Sequence, residues 1–126
     1  MNDKYERQMK KGVLDMLVLK LLESEAKYGY QIIQEMREKS KETFLLKDGT
    51  LYPILYRLED DGLVISRWSE AEGRQIARKY YEITDAGKIA LGEIETVWKH
   101  ISDGITEIMG VTYDSKSICE RYCEEN

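Results

Sequence analysis

A mainly α fold with one small β-hairpin is predicted for this chain by three observations. Apolar residues recur at helical spacing in three successive segments before residue 60. Two β-rich runs follow, separated by a polar loop, and the last long segment carries an apolar heptad. The expected order is therefore helix, helix, helix, two-stranded wing, long helix.

The first segment, GVLDMLVLKLLES, sets Leu14, Leu17, Val18, Leu21 and Leu22 on one broad apolar face. Tyr5 and Met9 either extend this helix backwards or form a short arm. The second, KYGYQIIQEMREKS, puts Tyr28, Ile32, Ile33 and Met36 on one side, with Gly29 near its start leaving room for close helix packing. KETFLLKD reads as a loop holding a short extended piece over residues 44–46. In the third helix Leu51, Leu55 and Leu58 fall at i, i+4 and i+7, with Ile54 bordering the stripe. Asp48 or Thr50 is the expected N-cap, and Pro53 is expected near the helix start, where few backbone donors are committed. Gly62 suits the left-handed position past the last turn, with Leu63 folding back.

LVISRW and RKYYEIT form an antiparallel hairpin with SEAEGRQIA as its long tip. Alternation places Lys79, Tyr81 and Ile83 on one side and Arg78, Tyr80 and Glu82 on the other, with Tyr81 and Ile83 facing the core. Thr84 then caps a helix that runs to about Met109 and stops at Gly110, roughly 37 Å at the usual rise. Its apolar positions Leu91, Ile94, Trp98, Ile101, Ile105 and Ile108 step by 3, 4, 3, 4 and 3 residues, an a/d seam. Such regularity favours a dimer interface over the core of a monomer.

A chain of 126 residues with 42% hydrophobic and 34% charged content is a foldable single body, read here as residues 1–83, a long helix over 84–110 and a tail over 111–126 that folds at most into a short helix. No apolar run nears the ~18 residues of a membrane span, and MNDKYERQMKKG lacks a signal-peptide core, so the expectation is a cytoplasmic protein without membrane partners. Cys119 and Cys123 are too few for a disulfide framework and, without a second ligand pair, weak for zinc; they read as free thiols on the tail. The net charge of −5 does not exclude nucleic acid. Residues 1–87 hold 15 basic against 16 acidic side chains, whereas residues 88–126 hold 4 against 8, so most of the negative charge lies in the last third.

Three helices followed by a hairpin is the winged helix-turn-helix arrangement. YGYQIIQEM, GTLYPILYRLEDDGLV and RKYYEITDAGKIAL resemble, in register over roughly residues 9–92, the PadR family of bacterial transcriptional regulators. The long final helix is similar to that of the short subfamily, whose members dimerise through a single C-terminal helix. Tyr28-Gly29-Tyr30 stands where the family usually has His-Gly-Tyr, which weakens a ligand or proton role for the first position. The resemblance implies a homodimeric repressor whose third helix enters the major groove of double-stranded DNA. It further implies release by a small effector, since the family includes regulators answering phenolic acids or drugs.

The residues support that implication. With Leu51, Leu55 and Leu58 inside, Thr50, Tyr52, Pro53, Tyr56 and Arg57 are left on outer or flanking faces, where apolar bodies meet base methyls and sugars while polar tips reach phosphates. The alternative is that Tyr52 and Tyr56 are half-buried aromatics locking the helix to the body. Arg67, Arg74, Arg78 and Lys79 make the wing cationic, although Glu70 and Glu72 moderate its tip. Lys4, Arg7, Lys10 and Lys11 outnumber Asp3 and Glu6 and would add phosphate contacts. Trp98, midway along the seam, either packs the interface or walls a cavity for a flat aromatic effector. His100, the single histidine, reads as a surface residue. No nucleophile motif, phosphate loop, metal spacing or cofactor motif is present, so an enzyme is not expected. The competing function is a winged protein-interaction module that does not bind DNA, favoured by the acidic tail and the mixed-charge wing.

Overall fold

Apolar residues at every third or fourth position place α2 (Leu14–Leu22), α3 (Gly29–Lys39) and α4 (Asp48–Asp60) around one core in the computed structural model. Val18, Leu19 and Leu22 from α2, Ile32 and Met36 from α3, and Leu51, Ile54, Leu55 and Leu58 from α4 are all buried. Each such side chain contributes about 1.5–3 kcal/mol by leaving water. The structure describes residues 3–70, 73, 74 and 76–110. These fall into two compact units, Met1–Glu93 and Ile94–Asn126. Glu72 and the tail over 111–126, with Cys119 and Cys123, lie outside the described residues.

Tyr5 and Met9 belong to a separate helix, α1 (Asp3–Lys10), divided from α2 by a turn at Lys11 and Gly12. Both side chains are exposed, Met9 to 79%, which settles the choice in favour of a short arm.

The sheet has three strands rather than the two expected. β1 (Lys27–Tyr28) pairs antiparallel with β3 (Lys79–Ile83), which pairs in turn with β2 (Val64–Trp68), giving the order β1-β3-β2. Tyr28 therefore lies in β1 and caps α3 instead of lying on its face: its backbone N–H donates to Gln31 Oε1 at 3.1 Å. Two residues are too few to show an alternation, so β1 left no periodic signal. Register sets Lys27 opposite Tyr81 and Tyr28 opposite Tyr80; on the other side Val64 meets Ile83 and Trp68 meets Lys79. Tyr81 and Ile83 are buried, as the alternation predicted.

Lys27 is a buried cation, 1% exposed. Its ammonium donates to the Leu21 carbonyl at 2.7 Å and to Ser24 Oγ at 3.1 Å, with Glu35 at 3.4 Å. A charge survives burial only when paired and hydrogen-bonded, and here it also meets the negative end of α2. One side chain thus ties β1, α2 and α3 together.

The α4 boundaries differ from expectation at the N-terminus. Lys47, extended at φ −113°, is the N-cap, and its carbonyl accepts from Thr50 and Leu51 N–H. Asp48 and Thr50 are inside the first turn, where the Asp48 carboxylate suits the helix dipole. This earlier start puts Pro53 in the helix interior, where it withholds the N–H that would bond the Gly49 carbonyl. Residues 44–46 form no strand; the Phe44 N–H is taken by Ser40 Oγ at 3.0 Å. The α4 C-terminus is as expected. Gly62 is left-handed at φ +75°, Leu63 N–H reaches back to the Leu58 carbonyl at 2.9 Å, and Gly62 N–H to that of Glu59 at 3.0 Å.

Thr84 caps α5 (Asp85–Met109), its Oγ1 accepting from Gly87 N–H at 3.0 Å while donating to the Gly62 carbonyl at 2.7 Å. Gly110, at φ +76°, ends the helix. Gly87 sits against the chain where it leaves α4: an added Cβ would collide with the Leu63 carbonyl and stand 2.7 Å from Ile83 Cγ1. Leu91, expected in the dimer seam, is 1% exposed within the first unit and so is consumed by the core.

Two outcomes follow from this packing. Tyr81 is fully buried, and among the described residues its hydroxyl is a buried side-chain atom with no hydrogen-bond partner. Burial first, then the nearby charges of Tyr56 and Glu59, push its pKa up to about 12 from the usual 10. The folded state holds this proton more tightly than the unfolded chain. Its contribution to stability is complete below pH ~10 and is lost as pH rises from there towards 12. Tyr81→Phe removes the orphaned hydroxyl, so urea titration at pH 7 should show a gain of about 1 kcal/mol and titration above pH 10 a shallower alkaline decline than the parent. Gly87→Ala should lower the urea midpoint by the equivalent of about 1–3 kcal/mol, although alanine is the better helix former.

Candidate nucleic-acid interface

The outer face of α4 is set by the inner one. With Leu51, Ile54, Leu55 and Leu58 buried, Thr50, Pro53, Tyr56 and Arg57 are exposed and Tyr52 is half-buried. Tyr52 lies against α3, its phenol so close over Gly29 that an added Cβ there would meet Cζ at 2.9 Å. Gly29 thus does the packing expected of it, and Tyr52 serves as a lock between the two helices as well as an edge of the outer face. Its ring is 5.9 Å from that of Tyr56, tilted by 33°.

The wing meets this pair through one cation. Lys79 Nζ stands 5.7 Å from the Tyr56 ring centre and 5.5 Å from that of Tyr81, positions at which an ammonium is attracted to both rings. Across the ladder from Lys79 is Trp68, 66% exposed at the end of β2. Tyr52, Tyr56, Lys79 and Trp68 therefore form one aromatic and cationic face. Trp68 was missed from the sequence because alternation puts it on the same side as buried Val64, and only its terminal place on the strand leaves it in solvent.

Three of the four candidate arginines are engaged within the fold. Arg57 ion-pairs with Asp15 of α2, and that hydrogen bond, then the charge of Asp15, hold its guanidinium above its ordinary pKa. Arg67 lies 3.9 Å from Glu82 on the neighbouring strand. Arg78 stacks 4.5 Å over the Tyr28 ring and donates to its hydroxyl at 3.0 Å; Tyr28 meets Tyr80 edge-on at 5.4 Å. Ser69 fixes the base of the tip, its N–H donating to the Arg78 carbonyl and its Oγ accepting from the Arg78 N–H. Arg74 is exposed at the tip. Exposed ion pairs of this kind are worth about 0–1 kcal/mol, so an approaching phosphate replaces them at little cost. Tyr28 gave no sequence signal for its part in holding Arg78, because its partner is 50 residues away.

The second unit presents a different surface. Along α5, Ile94 is half-buried, whereas Trp98, Ile101 and Ile105 are each about half exposed and Ile108 is 87% exposed. Val97 and Met109, both more than half exposed, widen the stripe. His100 is exposed. No helix among the described residues is long and apolar enough to cross a membrane.

Comparison with known proteins bears on this arrangement. The chain is 34% identical to a transcriptional regulator of Mycobacterium tuberculosis over 69% of its own length and 77% of that protein's. It is 32% identical to the negative transcriptional regulator PadR of Bacillus subtilis, over 60% of this chain but only 41% of that one. The crystal structure of a PadR family transcriptional regulator from Eggerthella lenta superposes with a TM-score of 0.76 at 33% identity, covering 86% of this chain and 92% of the other. The helix–helix–helix–wing order is thus the winged-helix fold of those regulators. A family model for the transcriptional regulator PadR-like family matches residues 18–93, from the buried face of α2 through the wing into α5, and the chain belongs to that family.

Proposed function

We infer that the protein is a homodimeric repressor that binds a pseudo-palindromic DNA operator with α4 and the wing, and is released by a small aromatic effector or a partner. The observation that carries this reading is the convergence of Tyr52, Tyr56, Lys79 and Trp68 on one exposed face of a transcriptional regulator's winged helix. Aromatic rings lie against sugars and base methyls, Lys79 and the wing arginines neutralise phosphates, and the exposed Thr50 and Tyr56 hydroxyls supply the polar contacts. The bare apolar stripe of α5 supports the dimer, because a monomer leaves Trp98, Ile101, Ile105 and Ile108 in water. Pairing through that stripe gives two α4 helices a two-fold relation and the operator its pseudo-symmetry. Repression is supported by the negative regulator among the relatives, and the working compartment is the cytoplasm. Trp98, half exposed in the stripe, is the residue at which an aromatic effector between subunits would stack.

A protein-interaction module is the competing function, and the engagement of Arg57, Arg67 and Arg78 inside the fold is what favours it. Binding to the duplex upstream of the protein's own gene, titrated at two salt concentrations beside an unrelated duplex, separates the two. The repressor reading expects selective, salt-steep binding, and Tyr56→Ala should weaken it by about 1–3 kcal/mol with an unchanged circular dichroism spectrum. Equal, weak binding to both duplexes would favour the interaction module. Replacing Ile101 and Ile105 together by Asp should turn a dimer into monomers in sedimentation equilibrium; a persistent dimer would remove the α5 seam from the reading.

A further inference from the structure

A cleft of about 970 Å³ opens between α1 and the loop that joins α3 to α4. Its floor is apolar, made by half-buried Leu14, Phe44 and Leu46. Among the described residues that line it, five are cations, Lys4, Arg7, Lys10, Lys11 and Lys41. Two of those residues are carboxylates, Glu6, 3.7 Å from Lys10, and Glu42, 3.3 Å from Arg37. A cationic lining is conspicuous in a chain whose net charge is −5. Lys10 joins lining to floor, its ammonium donating to the Thr43 carbonyl and standing 5.4 Å from the Phe44 ring centre. The loop is held in an uncommon shape, Lys41 and Glu42 both left-handed at φ +51° and +65° although neither is glycine.

We propose that this cleft binds a small organic anion with an aliphatic body, a medium-chain alkyl carboxylate. The volume suits a small ligand, the floor takes a hydrocarbon chain and the cations take one carboxylate by charge-assisted hydrogen bonds. Inorganic phosphate has no apolar part to set on Leu14 and Phe44, and a DNA strand presents a phosphodiester ridge rather than a chain that enters a cleft. Thr50 of α4 borders the cleft, and the loop runs from Leu46 directly into that helix, so the bound anion touches the segment that positions the start of α4. Trp98 is not among the residues that line this cleft, and occupancy of the cleft does not require DNA.

The test is a titration of the isotope-labelled full-length protein with sodium octanoate, followed by amide NMR in the absence of DNA, beside octan-1-ol as the uncharged control. Saturable shifts confined to α1 and residues 41–50, with octanol at least about tenfold weaker, are expected. Lys11→Glu with Lys41→Glu, both exposed positions, should weaken octanoate binding by about tenfold or more while leaving the rest of the spectrum in place, and Trp98→Ala should leave binding unchanged. Equal binding of octanol, shifts centred on Trp98, or no saturation would each overturn the proposal. So would a double variant that loses DNA affinity but keeps octanoate binding, which would assign the cations to the nucleic acid. Failure here leaves the repressor reading intact, because that reading is measured on DNA.

Discussion

The burial of four side chains on one face of α4 is the constraint from which the rest of the structure follows. A helix turns by 3.6 residues, so once Leu51, Ile54, Leu55 and Leu58 are committed to the core, the direction of every other α4 side chain is decided. Tyr52 is left at the margin against Gly29, Tyr56 faces outwards, and Arg57 is turned towards Asp15 of α2. The wing then approaches from the side on which Tyr56 offers a ring face to Lys79. Without that stripe the aromatic residues would have no fixed direction.

Burial within α2, α3 and α4 also explains what could be read from the amino-acid sequence. Periodicity reports which residues are inside, so the three helices, the inward Tyr81 and Ile83, the Thr84 cap and the stops at Gly62 and Gly110 were all legible. Each is decided by residues within a few positions of one another. The misses were of another kind. β1 is two residues long and exists because β3 pairs with it, and Lys27 is buried because Leu21, Ser24 and Glu35 converge on it. The α4 cap moved to Lys47 because backbone geometry, not a capping side chain, opens that helix. For the candidate interface, the outward residues of α4 were legible by elimination. The engagement of Arg57, Arg67 and Arg78 was not, since their partners come from other elements or the neighbouring strand.

Those engagements bear on how the surface works electrostatically. The stacking of Arg78 on Tyr28 holds that guanidinium in place before any ligand arrives, which lowers the entropy lost on binding. The pairing of Arg57 and Arg67 with carboxylates mutes the unspecific attraction that a bare cationic wing would exert on any polyanion. The proposed repressor, which must find one sequence among many, would benefit from both effects. The aromatic part of the face is insensitive to salt, whereas the arginine part is not, so the two contributions separate as ionic strength rises.

Lys79 rests at once on an exposed ring and on a buried one, Tyr56 and Tyr81. A substitution at position 81 would be counted as a core change, invisible from outside, yet it would alter the seat of a cation on the outer face. Under the proposed repressor function, recognition would drift through the interior: exchanging one buried aromatic for another resets where Lys79 and Tyr56 stand without altering a single exposed residue. On that function, relatives with identical outward-facing residues need not recognise the same sequence.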